Sequence, residues 1–334
     1  MKICVVSAGS WGSALAYLLA YNGHDVNLWF RNEEKARRVL SEGENSEYLP
    51  GIPVPTGVNI CWDIETATVG CNFFLQGAPS KSVRGTLERF KPFIKQGSTI
   101  VNLAKGFEEG SKKRISQVIE EVLPNVNVVA LSGPTHAEEV AQKIPTTIVA
   151  AANDIKYAEL VQDVFMNEHF RVYTSDNIMG VEIGGAMKNV IALAAGISDG
   201  MGYGDNTKAA LMTRGIREIS ALGVSMGASE SSFYGLSGIG DLIVTCTSVH
   251  SRNRRAGILL GQGKSLEEAL KEVRTVVEGV NTCKTAMQLA NEYGVSAPIT
   301  TEIYKIVMEN KSPREAVYDL MTRDKKKEDD FNER

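Results

Sequence analysis

Cysteine is scarce and forms no pattern. The five, Cys4, Cys61, Cys71, Cys246 and Cys283, are odd in number and widely spaced, with no C-x-x-C pair, so neither a disulfide framework nor a zinc or dithiol motif is read from them. A reducing compartment, the cytoplasm, is the expected location. Excess positive charge is also missing. Lys and Arg total 36 against 40 Asp and Glu, for a formal charge of −4, so no global field draws nucleic acid or an anionic membrane, and any anionic ligand must be met locally. No run approaches the roughly 18 apolar residues of a membrane span. Met1–Tyr21 mimics a secretory signal, but Ser7-Ala8-Gly9-Ser10 cuts its apolar stretch and Asn22-Gly23 ends it, which argues against export. Internal repeats, low-complexity stretches and metal-ligand clusters are absent from the pattern.

What is present is a chain of 334 residues, 43% hydrophobic, with 31 glycines and 10 prolines, ordinary proportions for a globular protein. That length and composition predict two globular domains, each able to bury a core. Up to about residue 175, short β-branched or aromatic runs alternate with helical patterns. The expected strands are Ile3–Val6, Val26–Phe30, Val58–Trp62, Phe73–Gln76, Thr99–Leu103, Val126–Leu131, Thr146–Ala151 and Phe170–Thr174, and the helices between them include Ser13–Tyr21, Glu33–Glu42, Lys81–Phe93 and Lys112–Leu123. This alternation predicts a doubly wound α/β domain of Rossmann type over 1–180, built on a parallel sheet. After Asp176 the period becomes helical, predicting an all-helical second domain over 181–334. Ser312, Pro313 and Glu315 mark the start of its last helix, and the charged tail 324–334 reads as a solvated end.

The first expected strand runs into Ser7-Ala8-Gly9-Ser10-Trp11-Gly12 and then a helix. This is G-x-G-x-x-G with its first glycine replaced. Gly9 lets backbone approach a diphosphate, Gly12 lets helix and strand pack closely, and the helix start offers N–H groups to the anion. The second strand ends Trp29-Phe30-Arg31-Asn32 without the acid that would hold a ribose 2′-hydroxyl. Phe30 and Arg31 are therefore candidate cofactor contacts, and the Arg31 guanidinium suits a 2′-phosphate. A Cβ at position 7 weakens cofactor binding modestly if the backbone there keeps an unfavourable conformation.

In the second half, Gly184, Lys188, Ile191 and Ala195 share one helical face, which sets Lys188 on an apolar stripe where burial tunes it toward proton transfer. Downstream, the glycine-rich 235–241 delivers Asp241, and Ser251-Arg252-Asn253 offers a hydroxyl, a guanidinium and an amide in succession, a donor set for a phosphate. Two turns outside strand ends, Ala104-Lys105-Gly106 and Ser132-Gly133-Pro134-Thr135, lie where open α/β sheets bind ligands.

On S-A-G-S-W-G at 7–12, A-P-S at 78–80, A-K-G at 104–106, L-S-G-P-T-H-A-E-E-V-A at 131–141, E-I-G-G-A-M-K-N-V-I-A-L-A-A-G at 182–196, G-L-S-G-I-G-D-L-I-V-T-C-T-S at 235–248, H-S-R-N-R-R at 250–255 and V-E-G-V-N-T at 277–282, the chain resembles the bacterial-type NAD(P)-dependent sn-glycerol-3-phosphate dehydrogenases over nearly its whole length. The resemblance implies an oxidoreductase that interconverts dihydroxyacetone phosphate and sn-glycerol 3-phosphate with NADP(H), or alternatively NAD(H), feeding glycerophospholipid synthesis as a cytoplasmic homodimer. It implies Lys188 as proton donor and acceptor, with Lys105 beside it and Asp241 in the same site. It puts Gly133, Thr135, Ser251, Arg252 and Asn253 around the substrate, and Ser10, Trp11, Arg31, Lys105, Ala137, Arg252, Val276 and Glu278 around the dinucleotide. Two places depart from the family pattern: Ser7 replaces a glycine, and Gly77-Ala78 replace a bulkier pair. Two other readings stay open, a non-catalytic NADP(H) sensor and another two-domain hydroxyacid or ketopantoate-type NADP dehydrogenase.

Overall fold

Eight strands form one sheet in the order β3-β2-β1-β4-β5-β6-β7-β8. They are β1 (Lys2–Val6), β2 (Asp25–Trp29), β3 (Val58–Cys61), β4 (Phe73–Gln76), β5 (Thr99–Asn102), β6 (Asn127–Ser132), β7 (Thr146–Ala151) and β8 (Phe170–Ser175). The helices among them are α1 (Ser10–Tyr21), α2 (Glu33–Glu42), α3 (Ile64–Thr68), α4 (Val83–Phe90), α5 (Ile115–Val122), α6 (Ala137–Ala141) and α7 (Ile155–Phe165). The computed structural model describes residues 1–274 and 276–328. Thr275 and the last six residues of the expected charged tail lie outside them.

Each expected strand forms within a residue or so of its predicted ends, because central strands buried on both faces are continuous apolar runs. The expected Lys81–Phe93 helix is shorter, Val83–Phe90 flanked by single 3₁₀ turns, and the Lys112–Leu123 helix starts only at Ile115. One topological expectation is overturned: the sheet is not all parallel, since β7 pairs antiparallel with β6 in the register Ala130↔Ala151 and Ser132↔Val149. The connection explains this. A six-residue strand advances roughly 20 Å, whereas the helix in the connection, the five-residue α6, spans only about 7.5 Å, so no helix carries the chain back along β6 and β7 runs antiparallel beside it. The eleven-residue α7 is long enough for a crossover, and β8 pairs parallel with β7.

The chain divides into two compact units, Met1–Lys105 with Lys113–Ile178, and Gly106–Lys112 with Met179 onward. In the first, Ile3, Val5, Leu28, Phe73, Leu75 and Val129 pack with Leu15, Leu19 and Phe165 into one core. The second is built from α8 (Ile178–Gly200), α9 (Asp205–Ser225), α10 (Asp241–Thr247), α11 (Arg252–Gly261), α12 (Leu266–Val273), α13 (Glu278–Glu292), α14 (Pro298–Glu309) and α15 (Pro313–Met321). Among the described residues no strand follows Ser175. Gly106–Lys112 joins this unit through Phe107, which is buried in its core, and through the Glu109–Lys284 and Lys112–Glu292 ion pairs.

The axis of the helical unit is α8, apolar all round as a helix must be when neighbours cover every face. It corrects the expectation about apolar runs, because its 23 residues are long and apolar enough to cross a bilayer, yet 94% of its most apolar window is buried inside the fold. The start of α15 follows its sequence signal, with Pro313 in the first turn and the Ser312 N–H donating to Glu315.

Candidate active site

The nucleotide loop leaves β1 at Ser7 and enters α1 with Gly9 as N-cap. No side chain caps this helix among the described residues, so its first-turn N–H groups are open to an anion. A Cβ on Gly12 would lie 1.9 Å from the Ser7 carbonyl oxygen, so only glycine fits there, whereas a Cβ on Gly9 would meet only Ser7 Oγ, at 3.9 Å. Close packing therefore belongs to Gly12 and open approach to Gly9. Asn45 braces the loop: its buried amide donates to the Ala8 carbonyl and to Ser13 Oγ, both at 3.0 Å.

Ser10 opens α1, and Trp11 follows with a buried Nε1 that has no partner among the described residues. An orphan indole donor beside an uncapped helix start and a bare glycine face fits a bound diphosphate. At the end of β2, Phe30 is buried and bonds its N–H to the Cys61 carbonyl at 2.7 Å, while Arg31 is exposed and unpaired among the described residues. Asn32 caps α2 by accepting from the Lys35 N–H at 3.0 Å, which fixes where Arg31 leaves the chain. The expected backbone penalty at Ser7 does not arise, because Ser7 is not among the residues of positive φ.

Beyond β5 and β6, the Lys105 ammonium donates to the Gly133 carbonyl at 3.0 Å, and the Thr135 hydroxyl donates to the same oxygen at 3.1 Å. Gly133 is compelled by the antiparallel return of the chain, since a Cβ there would meet Ile148 Cα at 3.1 Å. Ala137 opens α6 just beyond. Three sequence candidates thus converge at the carboxyl edge of the sheet.

In the helical unit Lys188 and Asp241 are 6% and 0% exposed. The ammonium donates to Asp241 Oδ1 and, at 2.7 Å, to Thr245 Oγ1, whose own hydrogen reaches the Asp241 carbonyl at 2.6 Å. An ammonium buried this deeply needs such a carboxylate to offset its desolvation. A π-helical turn, Leu236–Gly240, leads straight into Asp241. It can lie against α8 because a Cβ on Gly184, one turn before Lys188, would sit 2.8 Å from the Ser237 carbonyl. Burial pushes the neighbouring Cys246 thiol up to about 12, so it stays neutral beside the ion pair.

Ser251-Arg252-Asn253 starts α11, and its three side chains part ways. Ser251 is the N-cap, its oxygen accepting from the Arg254 N–H at 3.2 Å; Arg252 is exposed and unpaired among the described residues. Asn253 is buried, donating to Asn189 Oδ1 at 2.9 Å and accepting from the Gly279 N–H at 2.8 Å. That second bond pins the start of α13, where Val276 and Glu278 are half-buried. Arg254 forms a two-pronged pair with Asp199, both contacts 2.7 Å.

Two family models, NAD-dependent glycerol-3-phosphate dehydrogenase N-terminus and C-terminus, match residues 2–158 and 177–318. A glycerol-3-phosphate dehydrogenase [NAD(P)+] of Thermoanaerobacter sp. (strain X514) is 53% identical, the match covering 98% of this chain and 99% of that protein. The chain belongs to the glycerol-3-phosphate dehydrogenase family. The family enzyme of Clostridium acetobutylicum is 52% identical over 98% of both chains. The crystal structure of glycerol-3-phosphate dehydrogenase from Coxiella burnetii superposes with a TM-score of 0.93 at 35% identity, covering 96% of this chain and 99% of that one.

The structure brings in two polar residues to which sequence reasoning gave no role, Thr245 and Asn189. A signal existed for both. Thr245 lies one helical turn after Asp241, and Asn189 directly follows Lys188, but only the fold shows which atoms they meet. The Asn189–Asn253–Gly279 chain should be coupled. Asn253→Ala strands the buried Gly279 N–H and is expected to cost about 1–3 kcal/mol in denaturant unfolding. Asn189→Ala in that background should then cost much less than it does alone; fully additive losses would show that the bonds are independent.

Proposed function

We propose that this family member reduces dihydroxyacetone phosphate to sn-glycerol 3-phosphate, and runs the reverse oxidation, with NADP(H) or NAD(H), supplying glycerophospholipid synthesis. The observation that carries the reading is the buried Lys188 held by Asp241 and Thr245 in a chain that matches the family models over residues 2–158 and 177–318. A buried, oriented ammonium is costly to maintain, and a protein that only senses a dinucleotide has no use for it.

The residues of the nucleotide loop, Gly9, Ser10, Trp11 and Gly12, would hold the dinucleotide with Phe30, Arg31 and Ala137, and by family resemblance with Lys105, Arg252, Val276 and Glu278. Arg31, with no acid beside it, suits NADP(H) through its 2′-phosphate. The nicotinamide supplies the hydride when bound. Lys188 donates a proton to the substrate oxygen as negative charge develops on it, and takes it back in the reverse direction. Asp241 keeps the lysine charged and aimed, and Thr245 fixes its remaining freedom. Arg252 has an exposed guanidinium free to grip the substrate phosphate, a part that does not react, so that binding energy there orients the carbonyl. Ser251 keeps its proton for donation while its oxygen serves the cap, and Asn253 sets the position of both neighbours. Lys105, Gly133 and Thr135 are assigned to the substrate as well. A cytoplasmic homodimer completes the reading, in keeping with five buried free thiols.

The loss of reduced-nicotinamide absorbance with dihydroxyacetone phosphate tests the activity directly. Lys188→Met should lower kcat by about 10²- to 10⁴-fold while the protein still binds NADPH; near-normal kcat would remove Lys188 from the chemistry. The phosphate grip has its own test. Arg252→Ala is expected to cost at least about 2 kcal/mol in kcat/KM, and dihydroxyacetone without its phosphate should be a very poor substrate for the wild type. Equal kcat/KM for the two ketones would show that no phosphate is recognised.

A further inference from the structure

In the diphosphate-binding fingerprint the first position is glycine because the chain must turn sharply off the strand. Ser7 occupies it here without a positive φ, so the serine is not tolerated at the expense of the backbone. Its side chain has a definite place. Ser7 Cβ is 3.5 Å from where a Cβ on Gly77 would lie, an ordinary contact, so the root of the side chain lies against the loop leaving β4. Ser7 Oγ is 3.9 Å from where a Cβ on Gly9 would lie, on a face with no other heavy atom within 4 Å. The hydroxyl makes no hydrogen bond among the described residues.

This is also where the strand order reverses. β1 lies between β2 and β4, with Val6 opposite Gln76 as the last residues in register, and dinucleotides cross an open sheet at such a switch point. A second polar group waits at the same loop. Gln76 is fully buried, its Oε1 accepts from the Ala78 N–H at 2.5 Å, and its Nε2 has no partner among the described residues. A buried amide donor left unmatched beside the β4 loop calls for an acceptor that the protein itself does not supply.

Resting on the dinucleotide reading above, we propose that the Ser7 hydroxyl donates a hydrogen bond to the nicotinamide-side phosphate of the bound dinucleotide, so that this serine is an added anchor and not a defect of the loop. The side is set by the fold. Arg31 stands at the end of β2, on the adenosine half of the sheet, whereas Ser7 ends β1 with its Cβ against Gly77 on the β4 half and its hydroxyl over the Gly9 face between the two. A hydroxyl on a charged phosphate oxygen belongs to the stronger class of hydrogen bond.

Calorimetric titration of the intact protein and of Ser7→Ala and Ser7→Gly decides it, using two ligands. NADPH carries both bridging phosphates, while adenosine 2′,5′-bisphosphate carries only the adenosine-side one. The proposal expects NADPH affinity to fall about tenfold in both variants with the bisphosphate affinity unchanged. Unchanged or tighter NADPH binding in the variants overturns it, and so does an equal loss for both ligands, which would report damage to the loop. Wild-type protein that takes up neither ligand overturns the dinucleotide reading itself, an outcome distinct from a wild type that binds both and is indifferent to Ser7.

Discussion

Four glycines bring α8 and α11 into backbone contact, and the chemistry of the helical unit hangs on that closeness. A Cβ on Gly196 would lie 2.1 Å from the Arg254 carbonyl oxygen, and one on Gly200, 2.2 Å from that of Ile258; on the facing helix, a Cβ on Gly257 or Gly261 would lie 2.2 Å from the Leu193 or Ile197 oxygen. Each pair is spaced by four residues, so each forms a smooth stripe along one face of its helix. No side chain, however small, could stand between these backbones. The consequence is a fixed distance between Lys188–Asn189 on one helix and Arg252–Asn253 on the other, closed by the Asn189–Asn253 bond and by the pairing of Arg254 with Asp199. If Lys188 transfers the proton and Arg252 grips the phosphate, as proposed, the two must keep their spacing to well under an ångström to act on one small substrate. Rigid helices in backbone contact supply that precision better than a loop could.

The sheet unit solves its part by different means. There the groups proposed to meet the ligand sit on the loops at the carboxyl ends of strands, and each loop is braced from behind: Asn45 behind the loop after β1, Gln76 behind Ala78, and the Gly133 carbonyl under Lys105 and Thr135. The braces are buried amides or backbone carbonyls, which hold a loop without competing for the anion that it is shaped to receive.

Much of this was legible in the sequence because the signals were local. Eight apolar runs gave eight strands, the glycines Gly9 and Gly12 marked the turn from β1 into α1, and a lysine on an apolar stripe was indeed buried with an acid from the glycine-rich segment. Where the reading fell short, the deciding contact joins residues far apart in the chain. The antiparallel β7 depended on how far a five-residue helix reaches, and the seven residues from Gly106 to Lys112 enter the helical core through a single phenylalanine. Ser251-Arg252-Asn253 read as one donor set, yet in three dimensions only Arg252 is exposed; Ser251 became a cap and Asn253 a junction between three helices. The glycines of α8 and α11 are each visible in the sequence, but some sixty residues separate the two pairs, and nothing local says that they meet.

The account depends most on the claim that glycine contact between α8 and α11 sets the working distance between lysine and arginine. Gly257→Ala and Gly200→Ala test it when steady-state kinetics with dihydroxyacetone phosphate are measured on protein shown by circular dichroism to be folded. Each added methyl must push the helices apart, so kcat/KM should fall by about 10- to 100-fold. Folded variants that retain wild-type kcat/KM would contradict the account, because the spacing of the two helices would then be irrelevant to the reaction.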